Sequence, residues 1–179
     1  MLPSRAHKSN QGFTLLETAT VVVVIGILAA ISAPSLLGWY NRTKVNSAMN
    51  EVRGALQQAQ REAMRKSKPC TVTLGTSDNP PTVSAVNSSG DSCVINRELQ
   101  NGVEMSSNID GSGSPEIEFN IRGGTGDRGK IVIHMADAST QEKKCIVLSS
   151  GIGLMRSGNY SGNTDSDSDI TNGECTTSR

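Results

Sequence analysis

Few side chains in this sequence can do chemistry, and the first of them is Glu17. It sits at the head of a long apolar run, and from Thr18 to Asn41 there is no acidic or basic residue. A carboxylate in such a stretch is expensive and by default marks a function. In surroundings of low dielectric it attracts a cation far more strongly than it would in water. Just ahead of it stand Gly12 and Phe13. The thiols are Cys70, Cys93, Cys145 and Cys175, all beyond the apolar run. An even count on the non-cytoplasmic side of a membrane permits two disulfides, and sequence leaves all three complete pairings open as well as reduced thiols. The local pairing, Cys70 with Cys93 and Cys145 with Cys175, is the expectation carried forward. Each closed loop of that size would contribute roughly 3 kcal/mol.

Other candidates carry less. His7 and His134 are the only histidines, and neither joins a cluster with zinc spacing. Asp165-Ser166-Asp167-Ser168-Asp169 looks like the start of a calcium loop. Ile170 and Thr176 occupy the offsets where an EF-hand needs glycine and glutamate, so a solvated acidic tail is the better reading. Gly123-Gly124-Thr125-Gly126 lacks the Lys-Ser/Thr pair and the helix of a phosphate loop, and reads as a hairpin turn. No serine, cysteine or aspartate lies in a recognisable nucleophile motif. No enzyme activity, cofactor or metal is therefore expected.

The elements that must position Glu17 begin with a leader, Met1 to Gly12, which contains Arg5, His7 and Lys8 and no acid. Positive charge before an apolar run keeps that end in the cytoplasm. Phe13 to about Tyr40 is apolar all round, and it exceeds the roughly 20 residues a helix needs to cross a bilayer. Four consecutive valines would weaken a helix in water, but in lipid only a helix satisfies its own backbone groups. Pro34 removes one helical hydrogen bond and can kink it. Trp39 and Tyr40 arrive where aromatic rings favour the interface. From Asn41 the pattern turns amphipathic: Val45, Ala48, Met49, Val52, Ala55, Leu56, Ala59 and Ala63 recur at steps of three and four. Lys66-Ser67-Lys68-Pro69 ends the helix after about 50 residues.

Glycine, aromatic, glutamate and proline at these offsets resemble the processing site and N-terminal helix of type IV pilins and type II secretion pseudopilins. The resemblance implies peptidase cleavage between Gly12 and Phe13 and N-methylation of Phe13. It makes Glu17 the fifth residue of the mature chain and Pro34 the family's kinking proline. In a filament, the new amine of Phe13 on one subunit could meet Glu17 of a neighbour; pairing within one chain is the alternative. An ordinary signal anchor would leave the processing pattern unexplained.

After Pro69 the period changes to two. Strands are expected at 70–74, 82–86, 93–95, 103–105, 117–121, 130–135, 144–148 and 151–155, with turns between them. Little aromatic content, three per cent, and many small polar residues suit a turn-rich β domain. Residues 157–179 are polar and acidic and read as a loose tail, pinned only if Cys175 is bonded. The division is thus 1–12 leader, 13–40 membrane or filament-core helix, 41–68 amphipathic helix, 69–156 antiparallel β domain and 157–179 tail.

Three later stretches narrow the resemblance to the minor pseudopilin H and FimT/FimU group: Leu56 to Arg65 leading into Thr71-Val72-Thr73-Leu74, Ile117 to Gly123, and Ile146 to Gly151. The implied fold is α+β, a long N-terminal helix packed on a β-sandwich-like pair of antiparallel sheets. The implied role is a minor subunit of a pilus or pseudopilus that helps to initiate assembly. Implied partners are other major and minor pilins or pseudopilins, the prepilin peptidase, the inner-membrane assembly platform and membrane lipid. Implied location is the inner membrane, single-pass, N-terminus in the cytoplasm and the domain in the periplasm. A FimT-like DNA-binding minor pilin is the alternative, but Gly153-Leu154-Met155-Arg156 has one arginine and an acidic tail follows, which disfavours phosphate. A membrane-tethered domain that never polymerises is the alternative of a different class.

Overall fold

A computed structural model describes residues 12–87, 89–109, 114–137, 141–164, 170 and 173–177, without the side chains of 33 and 34. The leader 1–11, with His7, and the acidic stretch 165–169 lie outside the described residues. The chain divides into two units, Met1–Leu37 and Gly38–Arg179. One helix, α1 (Leu15–Lys66), runs through both.

In the first unit every large apolar residue from Val21 to Ile31 is more than half exposed. Polar side chains there turn back on the helix: Thr18 Oγ1 donates to Leu15 O, Thr20 Oγ1 to Glu17 O and Ser32 Oγ to Leu28 O, at 2.8–2.9 Å. Those hydroxyls leave no donor unmet in an apolar environment. The most apolar 18-residue window has a mean hydropathy of 2.4, and the helix is long and apolar enough to cross a membrane. Pro34 falls within the bounds of α1, with its side chain outside the described residues.

In the second unit α1 buries one stripe. Val45, Ala48, Val52, Ala55, Leu56, Ala59 and Ala63 are fully buried. Four of these seven are alanines, which allow the backbone to approach a sheet closely, while each buried valine or leucine contributes roughly 1.5–3 kcal/mol. Ser67, at φ 51°, stops the helix in the left-handed conformation that closes many helix ends. Arg65 and Lys66 sit in the last turn, where cations complement the helix dipole.

Among the described residues nine strands follow: β1 (Cys70–Gly75), β2 (Thr82–Asn87), β3 (Ser92–Glu98), β4 (Val103–Ser107), β5 (Glu116–Phe119), β6 (Gly129–Met135), β7 (Lys143–Ser149), β8 (Leu154–Ser161) and β9 (Glu174–Thr177). They form two antiparallel sheets, in the orders β3-β2-β1-β5 and β4-β6-β7-β8-β9. The helix stripe joins Val72, Leu74, Val83, Ile117 and Phe119 of the first sheet and Met105, Ile131, Ile133, Ile146 and Leu148 of the second in one core.

Three expectations need correction. The glycine-rich segment after Phe119 is not a hairpin turn. β5 pairs with β1 in one sheet, whereas β6 pairs with β4 and β7 in the other, so this segment carries the chain between sheets. Period-two patterning locates strands but does not name their neighbours. Nor does the β domain stop at residue 156. β8 runs on to Ser161, and β9 adds a further strand from the region read as a loose tail. The physical reason is a second, smaller core on the outer face of the five-stranded sheet. Val132, Cys145, Tyr160 and Ile170 are buried there, with Cys175 packed against them. One isoleucine in an acidic run, a tyrosine and a cysteine suffice to seat a short strap. The last candidate strand, 151–155, begins only at Leu154, because Gly151 (φ 94°) and Gly153 (φ 66°) form a turn.

Candidate functional site

The residues expected to serve processing and assembly, Pro34 apart, lie in the first turn of α1 and just ahead of it. Thr14 precedes the first helical residue. Its carbonyl accepts from Thr18 N at 3.1 Å, and its hydroxyl accepts from Glu17 N at 3.2 Å. That is an N-cap, with Glu17 at the third helical position, the spacing of a capping box. Thr14 was missed by the reading of charged and apolar residues, although the Thr-x-x-Glu spacing is its signal. Gly12 and Phe13 lie ahead of the helix, Gly12 in open space and Phe13 80 % exposed. The carboxylate of Glu17 has no hydrogen-bond or ion-pair partner among the described residues. With the chain uncut, the nitrogen of Phe13 is a peptide amide and offers no charge to pair with it.

A second constellation gathers the three later sequence stretches at one spot. Gln60, on α1, donates from Nε2 to Gly123 O at 2.7 Å and reaches Ile152 O and Gly153 O at 3.4 Å. Thr125 and Gly151 exchange backbone hydrogen bonds of 3.2 and 2.8 Å. A Cβ on Gly153 would stand 2.7 Å from Gly123 O, so only glycine fits between the two turns. Asn120 Oδ1 accepts from Arg122 N and Gly124 N, which shapes the first turn. The helix, the loop after β5 and the β7–β8 turn are thus held by one amide side chain.

The structure links Cys70 to Cys93 and Cys145 to Cys175, with Cα–Cα distances of 6.3 and 6.1 Å. Each bond reaches across an intervening strand. Strands two apart in a flat sheet lie about 9.5 Å from each other, so β9 must curl over β8 towards β7. Gly158 of β8 permits it: a Cβ there would lie 2.6 Å from Thr176 C and 2.8 Å from Thr177 Cα. Lys130 completes the strap, its ammonium donating to Gly173 O at 2.6 Å and Ile170 O at 3.2 Å. Tyr160 OH donates to Asn163 O at 2.9 Å.

Among the described residues no group of three or more His, Cys, Asp or Glu could hold a metal. His134 lies on β6, its Nδ1 3.2 Å from Met135 O and 3.9 Å from Glu104. At the far end of α1, the hydrogen bond from Arg65, then the charges of Arg65 and Lys66, hold the carboxyl of Glu62 below its ordinary range. The same pair pushes Arg65 up.

A capped apolar helix with one carboxylate in its first turn, ahead of a two-sheet domain, is the architecture of pilin-like proteins. The prokaryotic N-terminal methylation motif matches residues 7–33, and the model of Type II transport protein GspH matches residues 48–151. The chain belongs to the GspH family. The solved structure of the minor pseudopilin EpsH from the type 2 secretion system of Vibrio cholerae matches with a TM-score of 0.51 at 11 % identity. That match covers 65 % of this chain and 97 % of that one, and it shows the same fold. Among curated relatives, a fimbrial protein of Pseudomonas aeruginosa is 44 % identical over 61 residues, 34 % of this chain and 39 % of its own length. The type IV major pilin protein PilA of Myxococcus xanthus is 43 % identical over 61 residues, 34 % of this chain and 27 % of its own length. Type II secretion system core protein G of Escherichia coli is 38 % identical over 48 residues, 27 % of this chain and 33 % of its own length. The chain therefore spans well under half the length of the curated relatives it matches.

Proposed function

We propose that this chain is a minor subunit of a type IV pilus or a type II secretion pseudopilus, held in the inner membrane by residues 13–40 until it enters the filament, and that it helps to initiate assembly. The observation that carries this reading is the co-occurrence of the methylation motif over 7–33 with the GspH match over 48–151. Cleavage between Gly12 and Phe13 frees an amine four residues from Glu17. In the uncut chain that carboxylate has no partner among the described residues. In an apolar assembly the attraction between the amine of one subunit and Glu17 of another is strong enough to draw a helix from the bilayer and set its register. The exposed apolar surface of the first unit suits lipid before assembly and other pilin helices after it. The partners on this reading are other pilins or pseudopilins, the prepilin peptidase and the assembly platform.

The experiment is intact mass and N-terminal sequencing of the membrane-extracted protein, from cells with and without the peptidase. The expected product starts at N-methylated Phe13 only when the peptidase is present. A chain that keeps its leader in both cells overturns the reading. Glu17→Ala is then expected to leave membrane insertion intact and abolish incorporation into the filament.

A further inference from the structure

We propose that the base of the domain docks on acidic phospholipid headgroups through Arg42 and Lys44, with Trp39 and Tyr40 seated beside them in the interface. The proposal rests on the membrane-anchor reading above and extends it to a particular surface and lipid class. The helix carries no charge from Thr18 to Asn41, and then Arg42 and Lys44 follow within a turn. Val45, the next residue, is the first fully buried position of the domain core. From Trp39 to Lys44 the helix rises about 7.5 Å at 1.5 Å per residue. A headgroup layer is about 5–8 Å thick, taking roughly 40–45 Å for the bilayer and 30 Å for its hydrocarbon. The aromatic and basic residues therefore fill one headgroup layer, and the fold starts where that layer ends.

The side chains are placed for the task. Trp39 and Tyr40 are 67 % and 55 % exposed, large rings with a polar edge that the domain leaves more than half uncovered. Lys44 Nζ lies 5.6 Å over the Tyr40 ring and donates to Asn101 O at 2.7 Å, so its ammonium is held at this end of the domain. The Arg42 side chain is 65 % exposed. Its Nε lies 3.5 Å from Glu142, and no other ion pair of Arg42 occurs among the described residues, which leaves its terminal nitrogens for phosphate. Glu142 is drawn to Lys144 at 2.6 Å. Lys143 donates to Gly162 O. The acids around this end are Glu142, Glu104 and Asp137, so the attraction rests on the two cations nearest the apolar run rather than on a large net charge.

Trp39 is the only tryptophan, so it reports on the lipids beside it. The full chain is reconstituted in phosphatidylcholine vesicles containing phosphatidylglycerol, with bromine on the acyl chains of one lipid or the other. The ratio of the two quenching constants gives the preference for the acidic lipid. About 1 kcal/mol per cation near an anionic surface, acting on the one lipid beside each cation, predicts a ratio of about 5 at low salt, falling towards 1 at high salt and in the Arg42→Ser/Lys44→Ser variant. A ratio of 1 in the unaltered chain, or a preference indifferent to both salt and the substitutions, overturns the proposal. Quenching of Trp39 by neither brominated lipid overturns the anchor reading itself. The salt series requires no substitution and so stands whether or not the variant folds.

Discussion

Replacing Gly158 by alanine tests the strap directly. The added methyl would stand 2.6 Å from Thr176 C and 2.8 Å from Thr177 Cα, and closer still to Thr176 O. Ordinary contact begins near 3.4 Å, so β9 must retreat by the better part of an ångström or leave. The obstacle is the backbone of β9 itself, with no side chain that could swing away. With β9 goes the seat of Ile170, 1 % exposed and contributing roughly 2 kcal/mol. With it also go the two Lys130 hydrogen bonds, at about 1 kcal/mol each. Expected is a loss of about 2–4 kcal/mol in the stability of the strap. Where Cys175 no longer reaches Cys145, the 30-residue separation adds about 3.5 kcal/mol on the chain-entropy account. The main core lies on the opposite face of the sheet, so the rest of the domain should remain folded. Hydrogen exchange and thiol labelling read the outcome together: amides of Glu174 to Thr177 lose protection, and free thiol appears at Cys145 and Cys175 but not at Cys70 or Cys93. Full protection of β9 with a fully formed Cys145–Cys175 bond would refute the reasoning.

Three further outcomes are expected. Gln60→Ala removes the donor that reaches Gly123, Ile152 and Gly153. It should destabilise the domain by about 1–3 kcal/mol in chemical denaturation, with the exchange change concentrated at residues 121–125 and 151–153. Leu56→Ala opens a cavity under the helix at a fully buried position and should cost about 2–5 kcal/mol, read as a lower denaturation midpoint at unchanged slope. The Glu62 carboxyl is held below its ordinary range, first by the hydrogen bond from Arg65. Its contribution is therefore present above the unfolded pKa and lost as pH falls through the lowered folded value. The pair is exposed, so the effect is local: the last turn of α1 should fray in acid, and Glu62→Gln should remove that pH dependence in amide exchange.

How much was legible in advance can be judged from particular residues. The helix from Leu15 to Lys66 was readable because an apolar run, then a three-and-four pattern, then Lys-Ser-Lys-Pro are local signals. Gly12, Phe13 and Glu17 could be read as one motif because their offsets are local too, and the prokaryotic N-terminal methylation motif covers them. The strands were mostly readable for the same reason, since alternation lies in the chain itself. Gln60 lies inside the stretch from Leu56 to Arg65, with no local signal to single it out. Its role needs Gly123 and Gly153, 63 and 93 residues away, to be brought under it, and no pattern along the chain carries that.

Where the chain is apolar, where it alternates and where it must turn all follow from the types of neighbouring residues, and so could be read along the chain. Together they specify a membrane-length helix with a lone carboxylate in its first turn and a β domain behind it. Tertiary structure alone decided which strands are neighbours. It sent the chain after Phe119 into the other sheet, and it turned a polar tail into a strap over a second core. Those choices depend on surfaces assembled from distant segments. Val132, Cys145 and Tyr160 make a hollow only once three strands lie side by side, and only then does a single isoleucine among aspartates have somewhere to go.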